Sequence, residues 1–479
     1  MADTCTLHLL HTNDLHSHFA SLPRIVTCLR THRQTWEQNN EHVLTVDIGD
    51  HLDRMNIITE ASFGKANVEL MNRSGYQYAT IGNNEGITMP KERLNDLYEH
   101  AAFTVIASNL LEPPDGRQPE WSVPYAIHEC GDLRIALLGV TIPYPHSYEL
   151  MGWISAEPRP IIKSQVAALR SQVDVIVILS HLGYQEDCRL AEEVEGIDVI
   201  LGAHTHHLLE QGVRIGNTLI AQTGRFGQYV GHVCLLLDRE KKTVITATAE
   251  VFPTEQYMED AEVSQVLQEK REAAEAKLNQ PIATLAHDLR VDWEDETAFS
   301  SFLAASIREK TGAEVGLANG GLLLTNLHRG GLSRADLLRC VPHPLNLCAI
   351  TLTGDQLTQV LEQAIQPEIV KRELRGFGFR GKVEGWMGVD GLRIEYAREE
   401  HPRIVSIEVN GNKLVGSRKY RVGTVDMFMY NRLFPVLLQG SDLQFFLPAL
   451  LRELLAETLQ DEAMILRSFS RRWIPVMAG

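Results

Sequence analysis

The sequence predicts an α/β protein of two domains joined by an exposed helix, and three observations carry this. Short apolar runs alternate with polar, helix-like segments from the N-terminus to about Val251. A charged, Ala/Glu/Lys-rich stretch follows over Asp260–Asn279, and a region with its own helices and strands begins near Ile282. At 479 residues the chain also exceeds what one hydrophobic core usually organises. The reading places a first domain over 1–259, a connector over 260–281 and a second domain over 282–479.

In the first domain the candidate strands are Thr6–Leu10, Val43–Val46, Tyr78–Ile81, Phe103–Ala107, Arg134–Val140, Val173–Leu179 and Val199–Leu201. Three more β-rich runs follow at Thr218–Gln222, Tyr229–Leu237 and Thr243–Val251. Their apolar, β-branched character and polar flanks suit a layered structure of mixed strands. The proline-rich stretches Glu112–Pro119 and Pro143–Pro160 read as long surface loops. The connector carries strong helix formers and closes at Gln280-Pro281, where proline ends a helix. Beyond it, helices are expected at Ala298–Thr311 and Gly354–Ala364, followed by a strand-rich tail.

Composition narrows the classes. Hydrophobic residues at 44% with charged residues at 22% describe an ordinary globular protein. A formal charge of −17 argues against a nucleic-acid-coating surface. The start, Met1-Ala2-Asp3-Thr4-Cys5, lacks a secretory signal, and no apolar run is long enough to span a membrane. Cys5, Cys28, Cys130, Cys188, Cys234, Cys340 and Cys348 are scattered without a C-x-x-C pair. They read as reduced, buried small hydrophobes in a cytoplasmic protein.

Chemistry-bearing residues recur at strand ends. Asp14-Leu15-His16 follows the first apolar run, and Asp47-Ile48-Gly49-Asp50 the second. Gly82-Asn83-Asn84-Glu85, Ser180-His181 and Gly202-Ala203-His204-Thr205-His206 follow later ones. In α/β sheets ligands gather outside the carboxyl ends of strands, so five such ends can face one crevice. The donors are imidazole, carboxylate and carboxamide without thiolate, a set suited to Mn, Zn, Fe or Co. Seven side chains exceed one ion's needs and match two ions sharing a carboxylate.

This ordered set resembles the calcineurin-like metallophosphoesterases, and within them the 5′-nucleotidase family, most like a cytoplasmic bacterial member. The resemblance implies a four-layer α/β/β/α metallophosphoesterase domain and a C-terminal α+β substrate-binding domain. It implies Asp14, His16, Asp50 and His206 as ligands of one divalent ion, and Asp50, Asn83, His181 and His204 as ligands of the other. A water activated between the ions would attack phosphorus in line. The second half is similar as well: Asn319-Gly320-Gly321 matches the family's Asn-Gly-Gly loop, Val341–Asn346 its Pro-Phe-x-Asn segment, and Thr351–Gly354 with Leu361-Glu362 its strand-Gly-helix unit.

Two departures stand out. The family's Gly-Asn-His-Glu motif is here Gly82-Asn83-Asn84-Glu85, and an amide cannot donate a proton at neutral pH. Asn84 is therefore a hydrogen-bond donor at most, with His51, Asp53 and Arg54 as candidate substitutes. The arginine expected after the Asn-Gly-Gly loop is absent, leaving Arg375 and Arg380 to meet a phosphate. A base clamp of the kind the family uses would draw on Phe377, Phe379 or Trp386 with Phe428, Tyr430 or Phe434. The expected activity is phosphoester hydrolysis of a small nucleotide or related metabolite. The alternatives are a cyclic-nucleotide phosphodiesterase, a nucleotide-sugar hydrolase, or a weakened metal- or nucleotide-binding sensor.

Overall fold

The structure, a computed structural model, describes residues 4–376, 378–430 and 433–476. The chain forms two compact units, 1–274 and 275–479, and the division falls inside the helix Ala261–Leu278.

The first unit is built on two six-stranded sheets. One has the spatial order Thr243–Pro253, Tyr229–Asp238, Thr4–Thr12, His42–Asp47, Tyr78–Ala79 and Thr104–Val105. The other runs Val213–Ile215, Thr218–Ala221, Val199–Gly202, Val175–His181, Leu133–Thr141 and Ala126–Cys130. Alternate residues of the first sheet, Leu7, Leu9, Leu44 and Val46, pack against Ile135, Val177, Leu179 and Leu201 of the second. The opposite face of the second sheet, with Leu138, Ile176 and Ile178, is covered by Ile162, Val166 and Leu190 of two helices. Helix Leu22–Gln38 lies on the first sheet, which completes the expected α/β/β/α layering. Val175–His181 is buried along its whole length, as its continuous apolar run requires of a parallel strand covered on both faces.

Parallel register aligns the strand ends. Thr12 pairs with Asp47 and Asp47 with Ala79 in the first sheet; Thr141 pairs with His181 and Ser180 with Gly202 in the second. The loops that follow these residues therefore leave each sheet along one edge.

One expected loop is wrong. Within 143–160 lies the helix Pro145–Leu150, and Ile154–Ser155 pairs with Leu110–Leu111. Its proline sits in the first helical turn, where the missing N–H costs nothing, so it opened a helix rather than broke the chain. Tyr148 and Trp153 from this stretch are fully buried.

The second unit has a five-stranded sheet ordered Met387–Asp390, Val315–Asn319, Lys419–Val425, Asn346–Thr353 and Ser441–Leu450. A four-stranded sheet of Asn412–Lys413, Arg403–Val409, Leu392–Ala397 and Trp473–Val476 accompanies it. Helices Ala298–Thr311 and Gly354–Ala364 stand where expected; the tail adds Leu451–Thr458 and Glu462–Ser468. Phe299, Phe302, Tyr420, Phe428, Phe434 and Trp473 share its core.

Candidate active site

The site is made of turns, and the turns are unusual. Asp14, His16, Asp50, His204 and His206 all have positive φ, between 48° and 74°. Non-glycine residues visit that region rarely, with Asn, Asp and His the most tolerant, and such strain clusters where geometry is over-determined. Two glycines let the loops interlock. A Cβ on Gly82 would overlap the Asp50 carboxylate, and one on Gly49 would overlap the backbone of Ile81 and Gly82. The loop ending in Asp50 is thus in backbone contact with the one that begins Gly82-Asn83.

The side chains converge. Asp50 Oδ2 lies 3.5 Å from His181 Nε2 and 3.8 Å from His16 Nε2. Asp14 Oδ1 lies 3.4 Å from His206 Nε2 and 3.8 Å from His16 Nε2, and the His16 and His206 Nε2 atoms are 3.2 Å apart. The His181 and His204 ring centroids are 5.3 Å apart. Donor atoms of Asp14, His16 and His206, and of Asp14, Asp50 and His181, lie within 4.8 Å of one another. All seven expected ligands stand at one edge of the unit. Asn83 follows directly on Gly82, and its side chain touches Asn84.

Two atoms test whether this cluster fits cations. His181 donates its Nδ1–H to the Ile48 carbonyl at 2.7 Å, so its Nε2, which faces Asp50, is the nitrogen left to meet an ion. That Nε2 and Asn83 Oδ1 are buried without a hydrogen-bond partner, a costly state that an ion between them would relieve. The electrostatics agree. Burial opposes the His181 cation, yet the Asp50 and Asp14 carboxylates raise it to about 10, so these carboxylates draw positive charge into the site. His16 and His204 are pulled down chiefly by burial, His204 to about 4, and stay neutral as metal-binding imidazoles must. The residues fit divalent cations.

Behind the cluster is a tier of polar groups that sequence reasoning missed. Glu85 is buried and accepts from the backbone N–H groups of Asp50 at 3.0 Å, Leu52 at 3.1 Å and Gly82 at 2.8 Å. It ties two ligand loops together. Asp187 accepts from Ser180 Oγ at 2.5 Å and Gln222 Nε2 at 2.7 Å, and Asp47 from Thr12 Oγ1 at 2.6 Å. Asn13 donates to Asp14 Oδ2 at 2.7 Å and to the Gly224 carbonyl at 2.8 Å. The signal for Glu85 was its place at the third helical position after Gly82, a capping-box spacing. Glu85→Gln puts an amide NH₂ among backbone donors, so unfolding free energy is expected to fall by roughly 1–3 kcal/mol. Denaturant unfolding measures this; an unchanged midpoint would remove Glu85 from the supporting role.

The expected chemical helpers fall elsewhere. Asn84 is buried, and its Nδ2 lies 2.9 Å from His16 Nδ1 and 3.1 Å from the Leu52 carbonyl, while its backbone N–H donates to Asp50 Oδ1 at 2.8 Å. It braces two ligands instead of reaching outward. Arg54 turns inward: Nε and Nη2 grip Glu60 at 2.9 and 3.1 Å, and Nη1 donates to the Thr88 carbonyl at 3.1 Å. His51 is buried beside Asn67 and Tyr76, where burial pushes it down to about 3. Two residues outside the sequence reading do reach the cluster: Tyr144, with its hydroxyl 3.3 Å from His204 Nε2, and the exposed Arg225, 3.5 Å from His206 Nδ1.

In the second unit, Asn319 is buried and donates to the Glu384 backbone carbonyl at 2.9 Å, while Gly320 and Gly321 pack against the backbone of Trp386 and Val383. Arg375 is exposed and paired with Glu373, and the Arg380 backbone N–H donates to His343 Nδ1 at 2.9 Å. Phe379 is buried, one face stacked on His343, and Phe428 is buried edge-on to Phe434. Their rings, like that of buried Trp386, are core and unavailable to a base. Tyr430 remains exposed, beside Phe445. Phe377 lies outside the described residues.

Two facing sheets with an Asp/His/Asn cluster on their loop edge define a metal-dependent phosphoesterase. The sequence profile described as calcineurin-like phosphoesterase matches residues 7–208, and that of the 5′-nucleotidase C-terminal domain matches 276–437. The chain is 40% identical over 454 residues to the uncharacterized metallophosphoesterase YunD of Bacillus subtilis (strain 168), spanning 94% of this chain and 98% of that one. It belongs to the calcineurin-like phosphoesterases of the 5′-nucleotidase type, hydrolases acting on phosphoester bonds. The fold is that of a 5′-nucleotidase precursor from Thermus thermophilus (TM-score 0.60, 22% identity, 99% of this chain and 100% of that one). It is also that of the NAD nucleotidase of Haemophilus influenzae (TM-score 0.65, 16% identity, 99% and 98%). Among the described residues, no helix is long and apolar enough to cross a membrane.

Proposed function

We propose that this hydrolase binds two divalent ions and cleaves the phosphate ester of a nucleotide or related phosphorylated metabolite. Asp14, His16, Asp50 and His206 would hold one ion, and Asp50, Asn83, His181 and His204 the other. The observation that supports this best is Asp50 Oδ2, set between His181 Nε2 at 3.5 Å and His16 Nε2 at 3.8 Å. A carboxylate between imidazoles from different sheets stands where a shared ligand is needed. When bound, such ions supply charge neutralisation of the phosphoryl group and acidification of water.

The chain's own groups do the rest. Glu85 and Asn13 hold the ligand loops, and Asn84 orients His16. Arg225, exposed beside His206, offers a cation to a phosphoryl oxygen. In the second unit the exposed Tyr430 and neighbouring Phe445 offer faces on which a base can stack. A cytoplasmic location fits seven cysteines that form no disulfide among the described residues. The test is phosphate release from nucleoside monophosphates after loading with Mn²⁺, compared with phosphodiesters and pyrophosphates. Turnover on monoesters that vanishes with a chelator is expected; turnover that survives complete metal removal would sink the reading.

A second reading rests on Asn84. Its amide carries no titratable proton and is spent on His16 and the Leu52 carbonyl, so no group at this position protonates a leaving alkoxide. That favours phosphoanhydrides, whose leaving groups need no proton, as in nucleotide sugars or dinucleotides. Asn84→Ala distinguishes bracing from acid catalysis. A bracing residue should cost about 10–100-fold in kcat/KM, equally for an aryl phosphate and a nucleoside monophosphate. A deficit confined to the nucleoside substrate would return Asn84 to the leaving-group side.

A further inference from the structure

A second cluster of metal-binding side chains spans the first strand, Thr4–Thr12, and its antiparallel neighbour, Tyr229–Asp238, on the face turned away from the second sheet. His8 lies directly opposite Cys234 across the antiparallel pair, and His232 is two residues along, so all three side chains share one face. The inner face of these strands carries Leu7, Leu9, Val233 and Leu235. Over the outer face lies helix Leu22–Gln38, whose Trp36 ring stacks on His8 at 4.0 Å and on His232 at 4.5 Å.

The hydrogen bonds of this cluster do not add up. His8 Nε2 faces Glu41 Oε2 at 3.3 Å, His8 Nδ1 faces His232 Nε2 at 2.9 Å, and His232 Nδ1 faces Glu250 Oε1 at 2.9 Å. Three contacts need three protons. Two neutral imidazoles bring two, and the carboxylates bring none. Whatever the tautomers, one contact sets acceptor against acceptor. Carboxylates at both ends favour N–H groups on the outer nitrogens, which leaves two lone pairs facing each other at the centre. Something positive belongs there.

We propose that His8, His232 and Cys234 form a further metal site, separate from the phosphoesterase centre, for a borderline transition ion of the Zn²⁺ class. One donor atom from each of the three lies within 4.8 Å of the others. Two imidazoles and a thiolate are a zinc-type donor set, and each imidazole has its remaining nitrogen on a carboxylate, the arrangement that orients metal-bound histidine. Zn–N bonds of about 2.0–2.1 Å ask the facing nitrogens to part by only a few tenths of an ångström. Cys234 is half-buried, unlike the five buried cysteines, so solvent reaches it. On binding, the Cys234 S–H bond breaks, its proton leaves to water, and sulfur binds the ion as thiolate.

The test exploits sulfur. The phosphoesterase ligands are nitrogen and oxygen alone, so Co²⁺ there gives no thiolate charge-transfer absorption. The full-length protein titrated with Co²⁺ should develop a near-ultraviolet thiolate-to-cobalt band. The band should be lost in Cys234→Ser and in His232→Asn, and kept in Asp50→Asn. Zn²⁺ should slow iodoacetamide alkylation of Cys234, read by peptide mass spectrometry, by at least ~10-fold. The alkylation result in wild-type protein stands even if a variant fails to fold. Absence of the band together with unchanged alkylation would overturn the site and leave a shared proton between the histidines. A band that persists in Cys234→Ser would overturn it too, by placing the thiolate elsewhere.

Discussion

Asp50→Asn should abolish useful turnover, lowering kcat/KM by about 10³-fold or more. Asparagine keeps the volume, tolerates the φ of 50°, and can still accept from the Asn84 backbone N–H through its carbonyl oxygen. What changes is the oxygen between His181 and His16, which becomes a neutral NH₂ donor. The charge that would hold two cations together is gone, and so is the partner that keeps His181 protonated in their absence. Elemental analysis after dialysis against Mn²⁺ should show fewer ions per chain than wild type, with unchanged circular dichroism. Wild-type metal content in a folded, inactive Asp50→Asn would refute its placement as the shared ligand.

Gly82→Ala should be nearly as damaging although no ligand side chain is replaced. The added Cβ would stand only 2.0 Å from Asp50 Oδ1. Neither can stay, because Gly49 and Gly82 already pack backbone to backbone. A displacement of about 1 Å in a catalytic ligand can cost on the order of 10²-fold in rate. The comparison is Gly75→Ala, where φ is 80° but a Cβ would meet nothing within 4 Å. That change should lower stability by about 1 kcal/mol and leave kcat/KM alone. If both variants keep wild-type kcat/KM, the interlocking of the two loops has no catalytic consequence.

The convergence of the proposed ligands could be read from the sequence because chemistry and topology coincide in this fold. Each apolar run is a buried strand, and each ends where a parallel neighbour ends, so a polar residue just beyond it is carried to the common edge. Thr12 beside Asp47 and Ser180 beside Gly202 are that rule in register. The supporting tier was not readable, because Glu85 against three backbone N–H groups and Asp187 against Gln222 are pairings that only the folded chain creates. Arg54 misled because adjacency to Asp50 says nothing of direction: the chain turns, and the guanidinium meets Glu60. The aromatics of the second unit failed for a different reason. Phe379 and Phe428 lie in stretches with no apolar periodicity to show which side faces the core, and both proved to be packing residues.

The left-handed turns at Asp14, His16, Asp50, His204 and His206 act as a filter on what a mutation at this edge can reveal. Only residues at ease with positive φ replace these five without a second, purely conformational penalty. Asparagine is such a residue at every one of them; valine, isoleucine and threonine are not. A β-branched replacement removes a proposed ligand and also bends the loop that carries it, so its phenotype mixes lost chemistry with lost shape. Any natural variant of this protein with a β-branched residue at these positions therefore reports on folding of the edge at least as much as on the cations it holds. Asparagine scanning of the five is the way to separate the two.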